Sequence, residues 1–264
     1  MDERWRGAHL NLIESSRRLF ELDSGAAIEA GDGWLLGAGT ASHPLISNAA
    51  FRSDDRLDPD ELLERARDFF GARGRGFAVW ARAEAEEDRD LVAAVERAGL
   101  QKVFTMPEMV LDRRPGPCPA PDGVELRRVV SSEDAEDFWR VAVNAYATNG
   151  FPEEVFRFYD RHEGLWADDV AAFLALLDGR PASIAMTIVN HDVAGIYWVG
   201  TAQDARGRGL GQVLTTAAVE AGLGLGGEIA SLQASPLGRP IYERMGFEAI
   251  HGYELYLCPA GQRE

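Results

Sequence analysis

The chain has 264 residues, 46% hydrophobic and 27% charged, and a net charge of −16 from 27 basic and 43 acidic residues. This is the make-up of an ordinary globular protein with material for one large core or two small ones, and its acidity argues against a nucleic-acid partner, whose phosphates it repels. No apolar run approaches the ~20 residues that span a bilayer, so no membrane partner is expected, and two cysteines, Cys118 and Cys258, are too few for a disulfide framework or a cysteine-rich zinc site.

Met1 to Arg6 mixes charges with no apolar segment behind it, which argues against a secretory signal and for a cytoplasmic protein. From Glu3 to Phe20, Trp5, Leu12, Ile13, Leu19 and Phe20 are spaced as one face of a helix. Ala26–Ala30 and Trp34–Gly39 flank Gly31-Asp32-Gly33 and read as a hairpin. A strand over Leu45–Phe51 precedes Asp58-Pro59-Asp60-Glu61, where Asp58 suits a helix cap, Pro59 the first helical position and Glu61 a capping box. That helix runs to about Phe70. Strand Phe77–Ala81, helix Asp88–Ala98 and strand Val103–Leu111 follow.

Pro115, Pro117, Pro119 and Pro121 then alternate through Arg113–Gly123. Such a stretch is extended and semi-rigid and cannot be helical. It divides the chain into a first domain, 1–112, a linker, 113–123, and a second domain, 124–264. The second half opens with strand Val124–Val129, and Ser131 and Ser132 start a helix through Trp139, Val143 and Tyr146. Another helix begins near Pro152. Ala171–Leu177 and Ala182–Val189 make a hairpin about Asp178-Gly179, and Asn190-His191-Asp192 turns into strand Val193–Thr201. Helix Leu210–Gly222, strand Ile229–Ala234, helix Gly238–Met245 and strands to Leu257 complete the chain. The element order of the halves agrees, and Val95-Glu96-Arg97-Ala98-Gly99-Leu100 lines up with Tyr242-Glu243-Arg244-Met245-Gly246-Phe247, which points to duplication.

Between a strand and a helix lies Val199-Gly200-Thr201-Ala202-Gln203-Asp204-Ala205-Arg206-Gly207-Arg208-Gly209-Leu210-Gly211. Glycines let backbone approach a ligand closely, and the free N–H groups of a helix start, at the positive end of its dipole, suit a pyrophosphate. Arg206 and Arg208 add positive charge in an otherwise acidic chain.

Arg206-Gly207-Arg208-Gly209-Leu210-Gly211 resembles the acyl-CoA signature of the GNAT N-acetyltransferase superfamily: Gln or Arg, two residues, Gly, one residue, Gly or Ala. Ser231–Ser235 followed by Tyr242–Phe247 is similar to its second landmark, a strand and a short helix with a tyrosine. The resemblance covers about Val124 to Leu257. It implies an α/β (mixed α+β) fold of two tandem GNAT-like domains, each a mixed, mostly antiparallel sheet flanked by helices. It also implies a sheet that splays after Val193–Thr201, with acetyl-CoA as co-substrate in the gap. Main-chain groups of Val199, Gly200 and Thr201 would hold pantetheine and the acetyl carbonyl, and the backbone of Arg206, Gly207, Arg208, Gly209, Leu210 and Gly211 the pyrophosphate. Tyr242 matches the family's general acid, and Tyr146, Asn149 and Phe151 fall where the family lines its acceptor pocket.

The implied activity is acetyl transfer to an amine of a small molecule or protein; a non-catalytic acyl-CoA sensor is the alternative. The acidic surface leans toward a cationic acceptor, and the family's habit of dimerising leaves a homodimer open. No base is assigned: Glu153 and Glu154 open a helix, where acidic residues are favoured in any case. His191 reads as an exposed turn residue, and the five histidines lack metal-ligand spacing. In the first half, Arg52–Pro59 corresponds to the glycine loop but has no glycine and three aspartates within it. Val95 stands where Tyr242 stands, so this half is expected to be degenerate. Gly71–Gly76 has part of the signature but precedes a strand, and reads as a helix stop.

Overall fold

A computed structural model describes residues 3–261, the side chains of 3–5 and of 149 excepted. The first half contains α1 (Glu3–Glu21), β1 (Ala27–Gly31), β2 (Trp34–Ala38), β3 (Asn48–Arg52), α2 (Pro59–Gly71), β4 (Phe77–Ala83), α3 (Arg89–Arg97) and β5 (Gln101–Leu111). The β1–β2 hairpin closes tightly, Gly31 opposite Trp34, with Gly33 at φ +89°. In α2, Leu62, Leu63, Ala66, Phe69 and Phe70 form one buried stripe, each large side chain contributing about 1.5–3 kcal/mol by burial. Asp58 caps this helix through Asp60 N–H and Pro59 occupies its first turn. The capping box does not close in the expected way: the Glu61 carboxylate turns to Arg65, one helical turn on, because i,i+4 pairing is available on the exposed face.

From 112 to 123 the backbone carries neither helix nor strand. The second half contains β6 (Val124–Arg128), α4 (Ser132–Tyr146), α5 (Glu154–Arg157), β7 (Val170–Leu177), β8 (Arg180–Asn190), β9 (Val193–Thr201), α6 (Leu210–Gly224), β10 (Ile229–Gln233), α7 (Arg239–Met245) and β11 (Glu248–Cys258). The helix expected near Pro152 is the single turn α5. The tight β8–β9 turn carries His191 and Asp192 at φ +51° and +59°, with His191 exposed.

The eleven strands of the described residues form one sheet in the order β1-β2-β3-β4-β11-β5-β10-β9-β8-β7-β6. The last strand of each half lies beside the other half's penultimate strand: β11 pairs with β4, and β5 with β10. β5 and β11 pair with each other at the centre. In both halves a single parallel pair, β3 with β4 and β9 with β10, brackets one crossover helix. The helices that precede Leu100 and Phe247 end alike. Gly99 and Gly246 take φ +70° and +94°, Leu100 N–H donates to Val95 C=O, and Phe247 N–H donates to Tyr242 C=O, each at 3.0 Å. Glycine is required there because other residues are strained at such φ.

Strand pleating sends alternate residues to opposite faces. Ala194, Ile196, Ala230, Leu232, Met109 and Leu111 meet α6 and α7 on one face. On the opposite face α4 packs over Ile184, Met186 and Ile188, and α1 over Leu35, Phe51 and Tyr253.

Candidate active site

The parallel pair β9–β10 is short. Ile229, Ala230 and Ser231 pair with Val193, Ala194 and Gly195, and there the pairing stops although β9 continues to Thr201. Beyond Gly195 the two strands diverge, leaving main-chain groups of β9 facing a gap. Within this stretch the β8–β9 register shifts between Ile184 and Met186, and Trp198 sits at φ +50°. A bulky residue in that region is costly and is held only where its surroundings impose it. Here Trp198 lies edge-on to Tyr146 and Phe156, with centroids 5.4 and 5.3 Å away.

The three strand residues expected to line the gap lie at its β9 edge. The Tyr146 hydroxyl donates to the Val199 carbonyl at 3.0 Å. Ala145 and Tyr146 of α4 press on Gly200, where an added Cβ would stand 3.0 and 3.2 Å from their atoms. The Thr201 hydroxyl meets Ser183 Oγ at 2.8 Å.

The glycine loop follows. Gly207 and Gly209 adopt φ +77° and +78°, and a Cβ on either would meet nothing within 4 Å. Gly209 is the cap of α6 and supplies no side chain to it. The N–H groups of Leu210, Gly211 and Gln212 therefore have no helical acceptor, a fit for a phosphate anion. Arg208 is exposed. The Arg206 guanidinium turns back onto the protein, donating to the carbonyls of Ala145 (2.8 Å) and Thr201 (3.3 Å) and to Thr148 Oγ1 (2.9 Å). Gln203 N–H also donates to Asn144 Oδ1 at 2.9 Å. Arg206 thus fixes the loop against α4 with its side chain, leaving the backbone to face outward.

Tyr242 is 8% exposed, packs edge-on to Phe247 and lies beside the Thr215 hydroxyl of α6. Its ring occupies the space above Gly238, where a Cβ would come within 2.8 Å of Cε2. Burial pushes its pKa up to about 12, so the phenol keeps its proton at neutral pH and holds an O–H available for donation. Tyr146 and Tyr242 are close enough to oppose each other's ionisation.

Of the expected acceptor residues, Tyr146 and Phe151 stack at 6.0 Å, and Phe151 meets His43 edge-on at 5.8 Å. Asn149 lies in the 3-10 turn Ala147–Asn149, its side chain outside the described residues. Glu153 pairs with Arg157 on α5.

Sequence reasoning missed Glu108. It lies on β5 opposite Gln233 of β10 and His251 of β11, fully buried on the α1 face. Gln233 Nε2 donates to its Oε2 at 2.7 Å, and burial pushes its pKa up to about 8. The available signal was a lone glutamate inside the strand Val103–Leu111.

Residues 118–232 match the family model described as acetyltransferase (GNAT) domain. Curated relatives include mycothiol acetyltransferases from Thermomonospora curvata, 32% identical over 199 residues (71% of this chain and 65% of the relative), and from Rhodococcus erythropolis, 28% identical over 285 residues (89% and 90%). A third, from Cellulomonas flavigena, is matched over 48% of its length, so the chain spans from about half to two thirds of several of these relatives. Among solved structures, a GCN5-related N-acetyltransferase from Kribbella flavida aligns with TM-score 0.72 at 22% identity, over 97% of this chain and 96% of that one. A tandem GNAT protein from the clavulanic acid biosynthesis pathway aligns with TM-score 0.65 at 15% identity, over 95% and 96%. The likeness to these two structures is one of fold.

Proposed function

We propose that the chain, whose residues 118–232 match a GNAT acetyltransferase domain, is a GNAT enzyme that transfers an acetyl group from acetyl-CoA to a primary amine. The reading is carried by one juxtaposition: parallel strands that part after Gly195 beside a helix whose glycine start leaves its N–H groups open. The first-turn amides of α6 bind the pyrophosphate, the diverging edge of β9 orients the pantetheine arm, and Tyr242 returns a proton to the departing thiolate. Acid assistance of that kind is worth roughly 10²–10⁴-fold. Acetyl-CoA supplies the activated acyl group.

In the same reading the working division is 1–112, a degenerate copy, 113–123, a linker, and 124–264, the catalytic copy. The acceptor is cationic, drawn by the net charge of −16, and Tyr146, Asn149 and Phe151 line its pocket. The protein works in the cytoplasm as a homodimer, a state checked by measuring its mass in solution. The names of the curated relatives put mycothiol-related amines among the acceptors to try.

The test is calorimetric titration with acetyl-CoA followed by thiol release across a panel of amines. One site per chain and turnover with at least one amine is the expected result. Absence of binding overturns the reading, and tight binding without turnover favours an acyl-CoA sensor.

A further inference from the structure

An alkylammonium cannot attack a thioester until it loses a proton, since such groups have pKa values of about 10.4. Neither Glu153 nor Glu154 answers this need: both are exposed on α5, and Glu153 is paired with Arg157. The sheet itself offers a different group. Gln233 lies two residues past Ser231, the last β10 residue paired with β9, so it flanks the gap, and Glu108 is its cross-strand partner. Pleating puts Glu108, Ser231, Gln233, His251 and Tyr197 on the face opposite α6.

Among the described residues, Glu108 Oε1, Ser231 Oγ and His251 Nε2 are buried without a well-formed hydrogen bond, the Ser231 hydroxyl lying close enough to the Glu108 carboxylate to favour its ionised form. Buried polar atoms are nearly always paired, and these three lie on the neighbouring strands β10, β5 and β11. Their unspent capacity has the chemistry of a site for an amine N–H or for a water that relays its proton. Everything else facing Glu108 is accounted for. Tyr197 of β9 donates to Asn11 of α1 at 2.8 Å, Tyr253 of β11 meets His9 of α1 at 2.9 Å, and the Arg82–Asp88 pair lies beyond Tyr253. Tyr197 and Tyr253 are neutral phenols, their pKa values raised by burial.

We propose that Glu108 is the general base for the acceptor amine, acting through one water held by Ser231 and His251, on the side of the β9–β10 gap opposite α6. The proposal rests on the acetyl-transfer reading. The carboxylate takes one proton from the ammonium by way of the water. The neutral nitrogen attacks the acetyl carbonyl, the N–C bond forms and the C–S bond breaks. Tyr242 gives its proton to the thiolate and recovers one from the nitrogen of the collapsing adduct, and Glu108 releases its proton to solvent. The products are amide, free thiol and one proton. His251 is the weaker acceptor, its pKa pushed down to about 4 by burial, whereas Glu108, at about 8, is matched to an amine at neutral pH.

The test compares wild type with Glu108→Gln, which keeps the shape and the contact to Gln233, and Glu108→Asp, which keeps the acid. The probe is thiol release from acetyl-CoA with whichever panel amine wild type turns over best, from pH 6 to pH 10. Wild-type kcat/KM rises through about pH 8 as the carboxyl ionises. In Glu108→Gln it falls about 100-fold at pH 7 and the limb near pH 8 disappears. The deficit shrinks for aniline-like acceptors already neutral at assay pH, Glu108→Asp recovers part of the rate, and acetyl-CoA affinity stays unchanged in both. A Glu108→Gln enzyme with wild-type rate and profile overturns the assignment and leaves acetyl transfer standing. A deficit equal for basic and neutral amines, or lost acetyl-CoA binding in both variants, makes Glu108 structural and overturns it too. A wild type that binds acetyl-CoA but turns over no amine overturns the acetyl-transfer reading first, and with it the role of Glu108.

Discussion

The β3–α2 and β9–α6 corners stand at corresponding points of the two halves and were built to opposite ends. After β9 the strands part, Trp198 takes a left-handed φ, and Gly209 leaves the start of α6 without a side-chain cap. In β3 the parallel pairing covers Ala49 to Phe51 and the strand ends one residue later, whereas β9 runs six residues past its last residue paired with β10. The start of α2 is closed by the Asp58 carboxylate, and Pro59 has no N–H to offer. Arg52 fills the corner, 2% exposed, with Asp90 at 2.7 Å and Asp88 at 3.3 Å. The surface hollow beside it, about 690 Å³, is lined by Asp55, Glu86, Glu87 and Asp90 as well as Arg89. The open N–H groups at one corner suit an anion and the aspartates at the other repel one, although the backbone plan is shared. Fold similarity alone therefore does not carry the chemistry; the side chains at the helix start do.

This contrast can be broken or sharpened by substitution. The largest effect is expected at Tyr242, whose counterpart is Val95: Tyr242→Phe lowers kcat roughly 10²–10⁴-fold with acetyl-CoA affinity retained, measured by steady-state thiol release. Next is Arg52→Ala, which strips Asp88 of one buried cation and costs about 3 kcal/mol of stability in urea denaturation. Acetyl-CoA still binds once per chain in the folded variant, because the first corner is structural. Gly209→Asp gives the second corner the carboxylate cap of the first and weakens acetyl-CoA about 100-fold in calorimetry, by repulsion and by occupying the N–H groups. The smallest is Asp58→Ala, which removes a cap, costs about 1 kcal/mol and leaves acetyl-CoA binding unchanged. If it creates a second site, the first half is not degenerate.

The pH dependence of activity sharpens the contrast from another side. Glu108 belongs to the first half by sequence but pairs with Gln233 of the second. Its pKa of about 8 makes activity rise with pH through that value and fall below it, the reverse of what a titrating histidine acid would give.

Much of the molecule was legible in the chain because its causes are local. The hairpin turns, the Asp58–Pro59 helix start, the Gly99 and Gly246 helix stops and the strand–glycine loop–helix order follow from side-chain period and from φ values that glycine accepts most readily. The candidate anion site and Tyr242 were visible for the same reason, as motifs within a few tens of residues. Three other features had no such signal. Arg206 was read as charge for a ligand, yet its guanidinium is spent on Ala145 and Thr148, some sixty residues back. The exchange of β5 and β11 between halves joins residues well over a hundred positions apart, Gln101 with Leu257 and Glu248 with Val110 among them, and brings β10 to β5 across the linker. Glu108 is unremarkable in sequence and becomes a buried, half-partnered acid only once those strands close around it. Periodicity and turn chemistry act between near neighbours and are written in the residues themselves. Burial, strand order and the ionisation of a carboxyl depend on what arrives from elsewhere in the chain, and so the tertiary structure decided them.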